Sequence, residues 1–243
     1  MNPEISIFVS CYNEQETIVV TVETLIFALL KLEISWEILI IDDCSMDNSV
    51  AVIQQFMHEN SAAAVYLHKN EVNQGLGANV FTAARLAKGR YFWCVGGDNP
   101  VPKEACYALI SQIGKADIIV PNVMYYENRT LFRRILSWTY AFLVRIVSGS
   151  SIRYFNGSSI YLREQFVAQM EKISGFTYSA ELIIYLLDQG CSYLEVPVIY
   201  TDRTCGKSTA VSILNFIDVI GFLSRLLRRR WNLMRARAAK IRS

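Results

Sequence analysis

Carboxylates at the ends of buried strands are the residues in this chain best suited to chemistry. Asp98 closes an aromatic, β-branched run, residues 91–95, and follows Gly96 and Gly97 directly. Two glycines let a backbone approach a ligand closely, and open α/β sheets bind ligands outside the carboxyl ends of their strands. The structural alternative is a turn aspartate ahead of Pro100. Asp42 and Asp43 end a second apolar run, residues 37–41. Adjacent carboxylates there are costly to bury unless paired or bound. Such groups accept hydrogen bonds from ribose hydroxyls or base N–H groups. Just past a third run, residues 5–10, Tyr12 and Glu14 offer an aromatic and a carboxylate that suit a base and a ribose. An ordinary helix cap at Asn13 explains the same stretch. Gly75 and Gly77, within residues 73–79, open a helix whose start can cradle phosphate, although G-x-x-x-x-G-K-S/T is absent. Asp47 and Asn48 read as turn and cap residues.

These groups need strands to carry them and helices to cover the strands. The runs 5–10, 37–41, 64–68, 91–95 and 117–121 read as strands. Segments 14–31, 49–60, 75–87 and 103–112 read as the helices between them. Four βα units predict a doubly wound, mainly parallel α/β sheet with helices on both faces. After Pro121 the pattern changes. Residues 129–147 read as an amphipathic helix, 154–162 as a strand, 179–189 as a helix, 192–197 as a strand, and the chain from about 212 as a basic amphipathic helix.

Bulk properties narrow the classes. The chain has 243 residues, 52% hydrophobic and 19% charged, enough for a sizeable core and against disorder. The net charge of +2 hides an asymmetry, since every charged residue from Arg225 onward is basic. A basic end points to a polyanionic surface; its confinement to one end and the lack of a reader motif disfavour nucleic acid and favour anionic lipid. Six cysteines without a C-x-x-C pair predict reduced, mostly buried thiols in a cytosolic protein, and two isolated histidines argue against a zinc site. The opening residues carry no basic leader, so no signal peptide is expected, and no stretch is apolar enough to span a bilayer.

Taken together, V-S-C-Y-N-E, I-D-D-C-S-x-D-N-S, N-x-G-L-G-A-N and a strand ending in Asp98 resemble the family 2 glycosyltransferases of GT-A fold. The resemblance is nearest to the polyprenyl-phosphate sugar synthases. It continues through Arg133 to Ser137, Gly157 to Glu164, Glu181 to Pro197, and Arg203 to Ser208. It implies a Rossmann-like, mixed but mainly parallel sheet with a C-terminal acceptor-side annex. A single domain is expected, with residues 1–125 binding a GDP- or UDP-linked sugar, 126–210 the acceptor, and 211–243 the membrane.

The reaction implied is an inverting transfer to a dolichyl or undecaprenyl phosphate by a peripheral protein on the cytosolic membrane face. Donor contacts fall on Ser10, Tyr12, Glu14, Asp42, Asp43, Gly75, Gly97 and Asp98. Asp98 holds Mg²⁺ or Mn²⁺, with Arg203 and Lys207 as cationic complement. Arg133 and Ser137, or Arg134 one place along, hold the acceptor phosphate. Glu181 is the carboxylate placed to act as a base. Three departures stand out: Ser10 replaces a usual proline, the usual final Lys of R-x-x-G-x-S-K is shifted, with Lys207 before Ser208 and Thr209 after it, and Gly96 stands where the first carboxylate of Asp-x-Asp belongs. That gap admits a metal-independent enzyme, or a silent nucleotide-sugar-binding protein partnering a membrane protein or a second copy. An enzyme extending a saccharide is the other alternative.

Overall fold

The computed structural model describes residues 2–98, 101–127, 131–155, 157–170, 177–201 and 213–242. Apolar runs with few breaks make the central strands: β1 (Ile5–Cys11), β2 (Trp36–Asp42), β3 (Val65–Lys69) and β4 (Tyr91–Gly96). Continuous apolar sequence is what a strand buried on both faces requires. These four pair in parallel in the order β3-β2-β1-β4. The sheet then continues through β6 (Ile160–Leu162), β5 (Ile118–Glu127) and β7 (Tyr193–Thr201), giving seven strands with β6 antiparallel to both its neighbours.

Two cores follow from strand alternation. Ile5, Ile7, Val9, Ile38, Trp93 and Val95 point to one face, under α1 (Ile18–Leu32), α2 (Ser49–Glu59) and α4 (Lys103–Ile110). Phe8, Leu39, Ile41 and Phe92 point to the other, under α3 (Leu76–Leu86), α5 (Leu131–Ser148), α6 (Arg163–Met170), α7 (Tyr178–Asp188) and α8 (Ile213–Arg242). The doubly wound expectation therefore holds, and the second half of the chain extends the same sheet.

The A-x-G step at Ala87–Gly89 has a packing cause. A Cβ on Gly89 would lie 2.4 Å from the Ser6 nitrogen. The Gly89 N–H donates to Ser6 Oγ (2.7 Å), Ser6 Oγ donates to the buried Glu37 carboxylate (2.5 Å), and the Lys88 N–H donates to the same oxygen (2.6 Å).

Several boundaries differ from the sequence reading, β7 among them, which runs to Thr201 rather than 197. α1 begins at Ile18 rather than Glu14, because Asn13 has a φ of 57° and bonds to the neighbouring loop instead of capping. The strand expected at 154–162 shrinks to Ile160–Leu162. Ser179 Oγ donates to the carbonyls of Phe155 (3.0 Å) and Gly157 (3.4 Å), tying this backbone to α7 instead of to a strand. β5 runs to Glu127, well past 121, because β7 pairs along its whole length. α6 carries only Phe166 and Met170 as a one-turn core pair, too short a stripe to announce a helix.

Candidate active site

The ends of β1, β2 and β4 lie side by side: Cys11 pairs with Asp42 and Ser10 with Gly96. The loop after β1 is fastened to the loop after β2 by short polar side chains. The Asn13 N–H donates to Ser45 Oγ (2.9 Å), the Met46 N–H to Asn13 Oδ1 (2.8 Å), and the Glu14 N–H to Ser49 Oγ (2.8 Å). The Gln15 N–H donates to Asp47 Oδ2 (3.1 Å) and the Asn48 N–H to Gln15 Oε1 (2.9 Å). Asp47 accepts from both the N–H and the hydroxyl of Ser49, while Asn48 stands at the helix N-cap without a side-chain cap hydrogen bond. Tyr12 projects from this fastened rim and is 48% exposed, while Ser10 and Glu14 are half-buried.

Asp42 and Asp43 are both buried but differ in their partners. Asp43 accepts from Asn70 Nδ2 (2.8 Å), the Gln74 N–H (2.8 Å) and the Gly75 N–H (2.9 Å). It thereby pins the glycine loop, in which Gly75 has a φ of 80°, to the end of β2. Burial pushes its carboxyl up, but the donors of Gln74, Asn70, Asn79 and Gly75 outweigh that and hold it below the ordinary value. Asp42 accepts the Ser45 N–H at Oδ2 (3.1 Å), and its buried Oδ1 has no hydrogen-bond partner among the described residues. A buried acceptor of that kind is costly unless a ligand donor completes it. Of the two carboxylates, Asp42 has the oxygen left over for a ligand.

Gly97 is required by contact. A Cβ there would lie 2.5 Å from the Ser10 carbonyl and 3.0 Å from Ile18 Cδ1, and Thr21 Oγ fixes the Gly97 carbonyl at 2.9 Å. Asp98 follows, half-buried. Gly96 shares the strand face of Phe92 and Cys94, the face covered by α5, α7 and α8. Among the described residues no three His, Cys, Asp or Glu side chains converge on a metal position. One carboxylate fits Mg²⁺ or Mn²⁺ only together with oxygens of a bound phosphate ligand.

Of the residues expected to hold the acceptor, α5 carries Ser137, half-buried, and Arg134, exposed. Arg133 falls within α5, but its side chain lies outside the described residues, as do Arg203 and Lys207 entirely. Glu181 sits on α7 and is clasped by Arg225 of α8, Nη2 to Oε2 at 2.8 Å and Nε to Oε1 at 3.3 Å. Two further ion pairs join the same helices: Arg229 and Arg230 reach Asp188 at 3.1 and 2.7 Å. The Arg229 guanidinium also lies 3.9 Å from the Tyr185 ring centroid. Burial pushes the thiols of Cys11, Cys94 and Cys106 up to about 12, which keeps them protonated and inert.

Residues 6–177 match the sequence profile of Glycosyl transferase family 2. The chain belongs to this family. Among curated relatives of this family 2 chain, the undecaprenyl-phosphate 4-deoxy-4-formamido-L-arabinose transferase of Pectobacterium atrosepticum is 23% identical over 225 residues. That alignment covers 92% of this chain and 66% of the relative, so the chain spans just under two thirds of its length. The dolichol-phosphate mannosyltransferase of Saccharomyces cerevisiae is 26% identical over 221 residues, covering 86% and 81%. Among solved structures, S. aureus TarS 1–349 with UDP-GlcNAc superposes with a TM-score of 0.63 at 17% identity, covering 92% of this chain and 66% of that one. The mannosyltransferase PcManGT of Pyrobaculum calidifontis, with GDP-Man and Mn²⁺, gives 0.58 at 14%, covering 86% and 59%. These likenesses fix the fold as that of the GT-A glycosyltransferases.

The sequence reading of this family 2 chain missed the α7–α8 clasp. Glu181 and Asp188, seven apart on α7, meet Arg225 and Arg229, four apart on α8. Those spacings were visible signals, but the basic residues read as lipid-facing. It also missed Tyr140 of α5, an aromatic within an amphipathic helix, whose buried hydroxyl has no partner among the described residues.

Proposed function

We propose that this chain moves a sugar from a GDP- or UDP-linked donor to the phosphate of a polyprenyl lipid, with inversion at the anomeric carbon, at the cytosolic membrane surface. The observation that carries the reading is the state of Glu181. A sugar hydroxyl needs a general base, because its pKa lies far above neutrality. Both oxygens of Glu181 are committed to Arg225. A lipid phosphate is already anionic and needs no base. The names of the bacterial and yeast relatives, each a transferase using a polyprenyl phosphate, support the same acceptor class.

In this reading Asp42, through its open oxygen, and Tyr12 hold the nucleoside. Asp43 acts by holding the Gly75 loop, and Gly97 lets the diphosphate approach the backbone. Arg203 and Lys207 offset charge growing on the leaving diphosphate. Asp98 would hold a divalent cation, in keeping with the Mn²⁺ of PcManGT. That ion, when bound, neutralises phosphate charge. Ser137 and Arg133 orient the acceptor phosphate.

The membrane contact comes from α5 and α8, which pack on each other. Trp138, Phe142 and Ile146 of α5 and Ile220, Leu227 and Trp231 of α8 are all exposed. Arg134, Arg145, Arg228 and Arg235 are exposed on the same two helices. Exposed aromatic and aliphatic groups among arginines suit an anionic interface. No described helix is long and apolar enough to cross a membrane.

The test offers undecaprenyl phosphate and a saccharide acceptor side by side and determines the anomeric configuration of the product. A β-linked lipid product from an α-linked donor is expected; transfer to the saccharide alone, or retention, contradicts the proposal. Gly96 favours one second reading, a nucleotide-sugar-binding protein without activity. Donor turnover with Mn²⁺, abolished by a chelator, excludes it.

A further inference from the structure

Tyr140 stands three residues after Ser137 on α5, so the two share a helix face. The body-facing stripe continues through Ala141 and Val144, both buried. Tyr140 packs against the cluster that holds Phe222 of α8 and Leu182 of α7, and its hydroxyl oxygen is out of contact with solvent. Glu181 acts electrostatically on Tyr140, and both Glu181 oxygens bind Arg225. The hydroxyl is left without a partner among the described residues. A buried tyrosine hydroxyl normally finds one, and one kept without a partner points to a ligand that supplies it.

We propose that the Tyr140 hydroxyl is a hydrogen-bond donor to the phosphate monoester of the acceptor, working beside Ser137 on the same face of α5. The inference rests on the acceptor reading given above. The ligand must be an acceptor of hydrogen bonds, since the hydroxyl already has apolar neighbours for its ring and lacks only an oxygen. An anion fits because Arg225 offsets part of the Glu181 charge that acts on the hydroxyl. Burial, then the charge of Glu181, pushes the phenol above its ordinary value, so it stays protonated and donates at any working pH. Tyr140 is thus a binding residue and no base.

The experiment compares the intact chain with Tyr140→Phe. Melting temperature is measured without ligand, and affinity is measured by titration with undecaprenyl phosphate in detergent micelles, with undecaprenol in the same micelles, and with inorganic phosphate. Removing an unpartnered hydroxyl leaves the fold untouched, so the variant should melt at or above the parent temperature. Undecaprenyl phosphate should bind about tenfold more weakly, the loss expected of one hydrogen bond to a charged group. Undecaprenol uptake should not change. Weaker binding of inorganic phosphate by the variant would locate recognition in the phosphate alone; loss seen only with the lipid would show that the chain must seat it first. Both outcomes uphold the role. A lower melting temperature would overturn it, because the hydroxyl would then serve the fold. Equal affinity of parent and variant for undecaprenyl phosphate would overturn the Tyr140 assignment and leave the acceptor class standing. A parent that binds no undecaprenyl phosphate would overturn both.

Discussion

The two sides of the sheet's carboxyl edge are held by different means. On the donor side, the loops after β1, β2 and β3 are fastened within one another by short side chains: Asn13, Ser45, Asp47, Ser49 and Asp43 all bond to backbone N–H groups. On the acceptor side, α7 and α8 are joined by long side chains, Arg225 to Glu181 and Arg229 and Arg230 to Asp188. Short side chains bonding to backbone lose little rotamer entropy and build a rigid frame. Arginines on long stems lose more rotamer entropy when held, so their pairs join the helices less stiffly. Under the proposed function, the fastened loops hold the soluble nucleotide and the arginine-joined helices lie toward the membrane lipid.

The sharpest break of the donor side is Gly97→Ala. Its Cβ meets the Ser10 carbonyl at 2.5 Å, backbone that cannot yield cheaply. A loss of about 3 kcal/mol in urea unfolding is expected; a loss under about 1 kcal/mol would mean the frame is softer than its contacts.

Asp43→Ala comes next, at about 2 kcal/mol, because it strands the donors of Asn70, Gln74 and Gly75. The same carboxylate gives a pH signature. Asp43 and Asp47 are both depressed below 3.8 in the folded chain, so the unfolded chain binds protons first. Their stabilisation is complete above that value and is lost as pH falls through the lower folded values. The gap between parent and Asp43→Ala should therefore narrow as pH falls below 3.8 in denaturant titrations. A gap that persists there would place the effect outside ionisation.

Gly96→Asp restores a second carboxylate beside Asp98. It should tighten Mn²⁺ binding about tenfold, near 1.4 kcal/mol, in a titration with donor diphosphate present. Unchanged affinity would remove Asp98 from the metal's surroundings.

The smallest effect tests the acceptor side. Arg225 is 55% exposed, so its pair with Glu181 is screened and worth about 0.5 kcal/mol. Glu181→Arg combined with Arg225→Glu should recover stability and transfer lost in the single variants. Transfer that stays lost in the swapped pair would make Glu181 a base after all.

The contrast also explains what the sequence disclosed. The strands of the donor half were legible because buried parallel strands are written as continuous apolar runs. Asp42, Asp43 and Asp98 stood out because carboxylates at such ends are costly. Asn13 misled, since a local capping signal cannot reveal that a neighbouring loop, about 30 residues away, offers better partners. The clasp between Glu181 and Arg225 was hidden for the same reason at longer range: 44 residues separate them, and only the packing of α8 on α7 brings them together. Tyr140 read as one more apolar helix residue because nothing local distinguishes a satisfied hydroxyl from an unsatisfied one.

The most direct measurement incubates the full chain with a panel of labelled GDP- and UDP-sugars, Mn²⁺ and membranes containing either undecaprenyl phosphate or undecaprenol. Labelled lipid is then counted in the organic phase. The account predicts transfer from at least one donor into the phosphate-bearing lipid and none into the alcohol. Equal transfer to both lipids, or none from any donor, would contradict it.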